Sequence, residues 1–232
     1  LQNLGEPSAA DLASGTAFFG SALATGLNLF NQSNWFQQLG STDAGKRAIA
    51  DTQPQIQRMA DWLREQRRLL KQVDARAANR LFWNANCFYG LGIFLGDADA
   101  QRIGEEFIQQ ALALQHPDGY FQENEGFDSS YNGVSLLMGL RVFVLLANGE
   151  LKQQLGSALL RAAKWQITRI AENGEIIATG NTRVFPGGEE FLGEEKGVAA
   201  ADVVVAFYWL DILSTKRSDY VRIAEKVKGY YF

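Results

Sequence analysis

Gln115-His116-Pro117-Asp118-Gly119-Tyr120-Phe121-Gln122-Glu123-Asn124-Glu125-Gly126-Phe127-Asp128-Ser129-Ser130-Tyr131-Asn132-Gly133 separates two long runs of helical pattern, and its reading as a loop makes the chain a succession of helices. Pro117 fixes its own φ and keeps His116 out of the helical region. Asp118-Gly119 is strong turn chemistry, and Ser129 or Ser130 is placed to cap a helix that starts near Tyr131. A connection of this length inside a compact domain is uncommon unless it is functional or disordered. Its aromatics Tyr120, Phe121 and Phe127, ahead of the helix start, argue against disorder, and it holds the only histidine of the chain beside several acids. The expectation is an ordered loop lining a cleft.

On the N-terminal side of this loop, Ala75 to Leu95 is an apolar helix stopped by Gly96-Asp97. Asp97 or Asp99 then caps an amphipathic helix with Ile103, Phe107, Ile108 and Leu112 inward. On the C-terminal side, Tyr131 to Ala147 is apolar again, and Leu151, Leu155, Leu159, Ala162 and Trp165 mark an amphipathic helix stopped by Asn173-Gly174. Further out, residues 8–31 form a helix capped by Ser8 or Asp11, and residues 31–46 are polar and turn-rich. Asp51 to Val73 is a helix with Pro54 in its first turn, and its run Arg58, Arg64, Arg67, Arg68, Lys71 is a solvated face. Glu175 to Val184 has the β-branched pattern of a short hairpin around Thr179-Gly180-Asn181. Pro186 to Gly197 is a loop rich in glycine and glutamate, followed by the apolar helix Val198 to Leu213 and an amphipathic helix over 216–229.

Helices therefore alternate between amphipathic and nearly all-apolar, as an outer and an inner layer would. A short pattern also recurs near the ends of apolar helices: Gly26-Leu27-Asn28-Leu29-Phe30, Gly90-Leu91-Gly92-Ile93-Phe94 and Gly139-Leu140-Arg141-Val142-Phe143. Both features predict an all-α fold of antiparallel helical hairpins in a double-layered (α/α) toroid or partial toroid, with a short β-hairpin insertion, as one domain over residues 1–232. An ordinary helical bundle is the alternative.

The 232 residues are 47% hydrophobic, which supports a sizeable core. A net charge of −4 gives no support for a nucleic-acid partner. No run of 18 apolar residues occurs, so no membrane span is expected. The single cysteine excludes an intramolecular disulfide and argues against a cysteine-based zinc site. The acids of the central loop do not match a calcium-binding EF-hand. No metal ligand set and no cofactor is expected, and the pattern is silent on oligomeric state. Leu1 stands where a methionine would begin a chain, which fits removal of a secretory signal peptide, hence a secreted or periplasmic protein, and equally fits trimming.

Arg80-Leu81-Phe82-Trp83-Asn84-Ala85-Asn86-Cys87-Phe88-Tyr89-Gly90 resembles the helix of α/α-toroid polysaccharide lyases (alginate, heparinase and chondroitin types) that ends an aromatic-rich run with an asparagine–histidine pair. Asp118-Gly119-Tyr120-Phe121 followed by Asp128-Ser129-Ser130-Tyr131 resembles the segment that places an aromatic hydroxyl in the lyase cleft, and Gly180-Asn181-Thr182-Arg183 fits a further loop on that side. The resemblance covers residues 55–213, and it departs from the family at Cys87, where the lyases carry histidine.

The resemblance implies β-elimination on a uronate-containing polysaccharide or oligosaccharide. Hydrogen-bond donors neutralise the uronate carboxylate, a role for Asn86 with Asn84 or Gln122. Tyr131 serves as base and acid once Arg141 or Arg183 lowers its pKa, and His116 is the alternative base. Arg183 completes the catalytic set, and Trp83, Asp118, Tyr120, Glu123, Asp128 and Asn181 complete the substrate-binding one. Asn84 and Asn86 point about 200° apart on a helix, so only one of them faces a cleft. Two other readings stay open. Asp118, Glu123, Glu125 and Asp128 supply the paired carboxylates of a glycoside hydrolase. Trp83, Tyr120, Phe121 and Phe127 supply the stacking surface of a non-catalytic toroid that binds glycan or protein.

Overall fold

A computed structural model describes residues 6–191, 193–214 and 219–232. The described residues form nine helices: α1 Ala9–Asn31, α2 Asn34–Ser41, α3 Asp43–Val73, α4 Ala78–Leu95, α5 Ala98–Ala113, α6 Ser129–Leu145, α7 Glu150–Thr168, α8 Ala200–Leu213 and α9 Asp219–Tyr231. One antiparallel pair, β1 Glu190–Phe191 and β2 Glu194–Glu195, lies between α7 and α8. The chain divides into two compact units, residues 1–75 with 83–108 and residues 76–82 with 109–232.

In the first unit, Ser8 caps α1 through a reciprocal box with Asp11, as a serine followed three residues later by an acid favours. The segment 31–46, read as turns, instead contains α2 and the first turn of α3. Thr42 caps α3 by accepting from the Gly45 N–H at 3.0 Å. This early start leaves Pro54 in the helix interior rather than its first turn. Ala50, whose carbonyl loses its usual donor there, is exposed to solvent, so the loss is tolerable. The cationic face of α3 is a surface network: Arg64 pairs with Asp61, Asp97 and Asp99, and Lys71 with Glu106. Buried amides tie α1 to α4. Asn28 donates to the carbonyl of Gly90 at 2.9 Å, and Asn86 donates to the Ser21 hydroxyl at 2.7 Å. Asp97 caps α5 as expected, and α5 crosses α4 at Gly104, where a Cβ would stand 2.7 Å from the Tyr89 backbone nitrogen.

In the second unit, α6 is buried around nearly its whole circumference, and α7 and α8 pack on it. A Cβ at Gly133 would meet Val203 of α8 at 2.3 Å, and one at Gly139 would meet Leu159 of α7 at 2.6 Å. Gly26 of the same recurring pattern faces open space, so close glycine packing is not common to all its copies. The apolar helix α8 is less enclosed than its composition predicts, because Val205, Ile212 and Leu213 are exposed. Residues 216–218 of the expected last helix lie outside the described residues, and its remainder is α9.

The hairpin expected over 175–184 is not there. Asn173-Gly174 turns the chain back onto the end of α7, with Gly174 at φ +98° and single backbone bonds from Ala171 to Glu175 and from Ile177 to Arg169. From Ile177 on, the Ile177, Thr179 and Val184 carbonyls and the Arg183 and Val184 N–H groups pair with side chains, and the regular pair forms later, in the glycine- and glutamate-rich loop. Gly104→Ala should lower unfolding free energy by about 1–3 kcal/mol through overpacking. Gly26→Ala, in open space, should raise it by about 0.5–1 kcal/mol. Urea unfolding followed by circular dichroism measures both, and equal effects would contradict the crossing at Gly104.

Candidate functional site at the start of α6

The carboxylate of Asp128 organises this end of the second unit. Its Oδ1 accepts from the N–H groups of Ser130 and Tyr131 at 2.9 and 3.0 Å, so Asp128 caps α6 in place of Ser129 or Ser130. Its Oδ2 accepts from the N–H groups of Arg183 and Val184 at 3.0 and 2.9 Å. Ser129 and Ser130 serve as struts instead. The Ser129 hydroxyl donates to the Ile177 carbonyl, and the Ser130 hydroxyl accepts from the Ala199 N–H. Asn181 closes the joint by accepting from the Ser129 N–H and donating to the Val184 carbonyl, each at 2.9 Å. Residues of the segments 115–130, 175–184 and 186–191 and Lys196 thus meet at one helix terminus.

Glu123 reaches the joint through a tight turn. Asn124 and Glu125 take φ of 51° and 69°, the pair of left-handed conformations of a type I′ turn, and the Glu123 N–H donates to the Gly126 carbonyl at 2.9 Å. The turn is pinned by the Thr182 hydroxyl, which donates to the Glu123 carbonyl at 2.8 Å. The Glu123 side chain, 2% exposed, accepts from Asn79 at 2.6 Å and pairs with Arg183. The other arm of Arg183 donates to Glu189 Oε1 at 2.7 Å, and the guanidinium lies 4.1 Å from the Tyr131 ring centre. The Tyr131 hydroxyl donates to Glu189 Oε2 at 2.8 Å and accepts from Lys196. A cleft of about 280 Å3 lies beside Lys196, walled by Val184, Phe185, Pro186 and Val198. It is not the largest hollow of the unit, since a groove along Glu150, Gln153 and Arg161 measures about 390 Å3.

Burial pushes the Glu123 carboxyl up to about 7, against the opposing pull of its bond to Arg183. Glu189 goes the other way. Burial acts to raise it, but its bonds to Arg183 and Tyr131 and the nearby Lys196 charge hold it below the usual carboxylate range. Tyr131 departs from the expected lowering. Burial and the bond to Glu189 raise its pKa, although Arg183 sits on its ring and opposes them. In this state Tyr131 is a protonated phenol.

The remaining candidates are placed as follows. Asn181 and Asp128 belong to the joint, with every polar bond given to backbone or Ser129. Both carboxylate oxygens of Asp128 are used structurally, which removes it from an acid–base pair. His116 stacks on Tyr120 at 4.6 Å, and its Nδ1 accepts from the Asp118 N–H. Tyr120 and Phe121 are buried, Tyr120 against Phe127 and Trp165 and Phe121 against Phe82, so neither offers a stacking face. Asp118 is exposed, and Gln122 pairs by backbone with Leu114 and Ala78. Arg141 is half-buried near Asp202, whose charge opposes the burial that lowers the Arg141 pKa. In the first unit, Asn86 and Asn84 are fully buried, with the Asn86 amide spent on Ser21 and Thr25 and that of Asn84 on Asp74. Trp83 packs on Phe18. Cys87 is buried and its thiol is pushed up by burial, so it carries no thiolate in place of the missing histidine.

Two cluster members escape the sequence reading, Glu189 and Lys196. Glu189 sits among the equivalent acids Glu190, Glu194 and Glu195, and Lys196, the one base of that loop, is set apart by its tertiary contact with Tyr131 alone. Among the described residues, no group of three or more His, Cys, Asp or Glu is placed to hold a metal ion, and no helix is long and apolar enough to cross a membrane. Comparisons with protein-family models, curated proteins and solved structures return no match.

Asp128→Ala should cost roughly 2–4 kcal/mol, because it strips a helix cap and leaves further buried N–H groups unpaired. Asp128→Asn should cost less. Chemical denaturation measures both, and a loss under 1 kcal/mol for the alanine variant would contradict the joint. Glu123 has a pH signature. Its pKa rises from 4.5 unfolded to about 7 folded, so the folded state binds more protons between those values. Stability should therefore fall as pH rises from about 4.5 to 7 and then level off, by on the order of 3 kcal/mol for this group. Glu123→Gln should remove that component from a series of urea unfolding curves across this window.

Proposed function

We propose that the Tyr131–Arg183–Lys196 cluster is an acid–base site acting by β-elimination on a uronate-containing polysaccharide or oligosaccharide. The observation that carries this reading is the Tyr131 hydroxyl, held between Lys196 and Glu189 with the Arg183 guanidinium on its ring. Two cations and a phenol at one point suit this chemistry. Arg183 and Lys196 neutralise the uronate carboxylate and so make the adjacent carbon acidic enough to lose its proton. That C–H electron pair becomes the new C=C bond, the bond from the neighbouring ring carbon to the glycosidic oxygen breaks, and the oxygen leaves with its pair and takes up a proton. Tyr131, once its own phenol proton has passed to solvent, takes the first proton as a phenolate and, as the phenol so formed, returns that proton to the oxygen, with Arg183 and Lys196 stabilising the phenolate. Asn86 and His116 are outside this proposal, the first because its amide is spent on α1 and the second because it is tied to its own loop. The same reading takes the alternation of enclosed and amphipathic helices as part of a double-layered (α/α) toroid.

One observation favours a second reading, glycoside hydrolysis. Glu123 and Glu189 share Arg183, and their environments move their pKa values in opposite directions, the pattern of an acid and its partner carboxylate. These two replace Asp118 and Asp128 in that role. The enclosure of Glu123 ranks this reading second, because Arg183 must move before a glycosidic oxygen can reach it.

Incubation with uronate polymers should yield an unsaturated product that absorbs in the ultraviolet. Tyr131→Phe should lower its rate by roughly 100-fold or more with an unchanged circular dichroism spectrum. New reducing ends without unsaturation would move the assignment to Glu123 and Glu189, and retention of glycan without either product would make the protein a binding module.

A further inference from the structure

We infer that Arg183, Lys196 and the Tyr131 hydroxyl form a carboxylate-binding site, and that Glu189 occupies it as an internal stand-in which a uronate carboxylate must displace. The inference rests on the acid–base reading above and adds to it what the site binds and what keeps it shut.

The geometry is that of a bound carboxylate rather than a surface ion pair. Glu189 Oε1 accepts from Arg183 Nη2 at 2.7 Å, and Oε2 accepts from the Tyr131 hydroxyl at 2.8 Å with Lys196 Nζ at 3.5 Å. Two oxygens thus face three donors, which matches a planar monoanion. The local chain is built to hold it there. The Glu189 N–H donates to the Arg183 carbonyl at 3.0 Å, and its own carbonyl accepts from the Lys196 N–H at 2.9 Å. Gly188 permits the close passage, because a Cβ there would stand 2.4 Å from the Arg183 carbonyl oxygen. With its backbone pinned at both groups, Glu189 vacates the site by side-chain rotation alone. Its side chain is 29% exposed and that of Lys196 34%, so the open side of the site faces solvent. Arg183 keeps its bond to Glu123 throughout, which leaves the guanidinium oriented for an incoming ligand.

A uronate carboxylate on the same donors takes over the bond from the Tyr131 hydroxyl, so displacement exchanges one anion for another at an otherwise unchanged set of donors.

The test compares wild type with Glu189→Gln by calorimetric binding of a uronate hexasaccharide and of the same oligosaccharide with its carboxyls reduced to alcohols. Removing the internal competitor should tighten uronate binding about 10-fold or more, because occupation of the site divides the intrinsic dissociation constant by the open fraction and so raises the apparent one. Binding of the reduced oligosaccharide should not tighten. Glu189→Asp, too short to reach Tyr131, should fall between and serves if the glutamine variant does not fold. Equal uronate affinities in wild type and variant, equal tightening for the reduced ligand, or no uronate binding by any of the proteins would each overturn the inference. Uronate binding with the expected tightening but no unsaturated product would leave this site standing and remove the elimination reading. Elimination without tightening would do the reverse.

Discussion

One carboxylate, that of Asp128, accepts four backbone N–H groups from two stretches of chain more than fifty residues apart in sequence. The first turn of α6 presents N–H groups with no partner of their own and the positive end of the helix dipole, so an anion there is stabilised. Arg183 and Val184 have no regular strand to satisfy their N–H groups. A single charge meets both needs, and in doing so sets Arg183 next to Tyr131. The position of the Tyr131 cluster follows from this constraint, since Tyr131 lies in the first turn after its cap, Glu189 is bound to the Arg183 carbonyl and Lys196 to the Glu189 carbonyl through backbone bonds.

Around Arg183 the balance of burial against pairing sends two glutamates in opposite directions. Glu123 is nearly sealed, and the cost of an ion in that setting exceeds what Arg183 and Asn79 return, so its carboxyl retains its proton into the neutral range. Glu189 is more open and has three donors, so the charged form prevails. The same competition explains Tyr131. A cation on its ring is insufficient to lower its pKa while the hydroxyl is buried and donating to an anion. Chemistry at this site therefore depends on what occupies the place of the Glu189 carboxylate.

The helical character of the chain was legible because it rests on local patterns. Apolar spacing, the Ser8–Asp11 box, the Asp97 cap and the Gly96 stop act within a few residues and need no distant partner. So did the ordered nature of the loop before α6, through Asp118-Gly119 and its aromatics. The loop aromatics were another matter: sequence marks Tyr120 and Phe121 as large apolar groups but cannot say whether they line a cleft or fill a core. Here Phe82, Phe127 and Trp165 claim them.

By itself the sequence determined the number and rough bounds of most helices, the enclosed character of α6, and the candidacy of Tyr131 and Arg183. Tertiary structure decided which of several capping groups wins at α6, where the β pair forms, and which acids and amines surround Tyr131. The physical reason is range. A cap or a helical face is encoded within one or two turns, whereas Glu123, Tyr131, Arg183, Glu189 and Lys196 come together through side-chain bonds between residues 55 to 65 apart in sequence. Nothing local separates Glu189 from Glu190 or Glu194, or a ligand-facing asparagine from Asn86, whose buried amide instead ties α1 to α4.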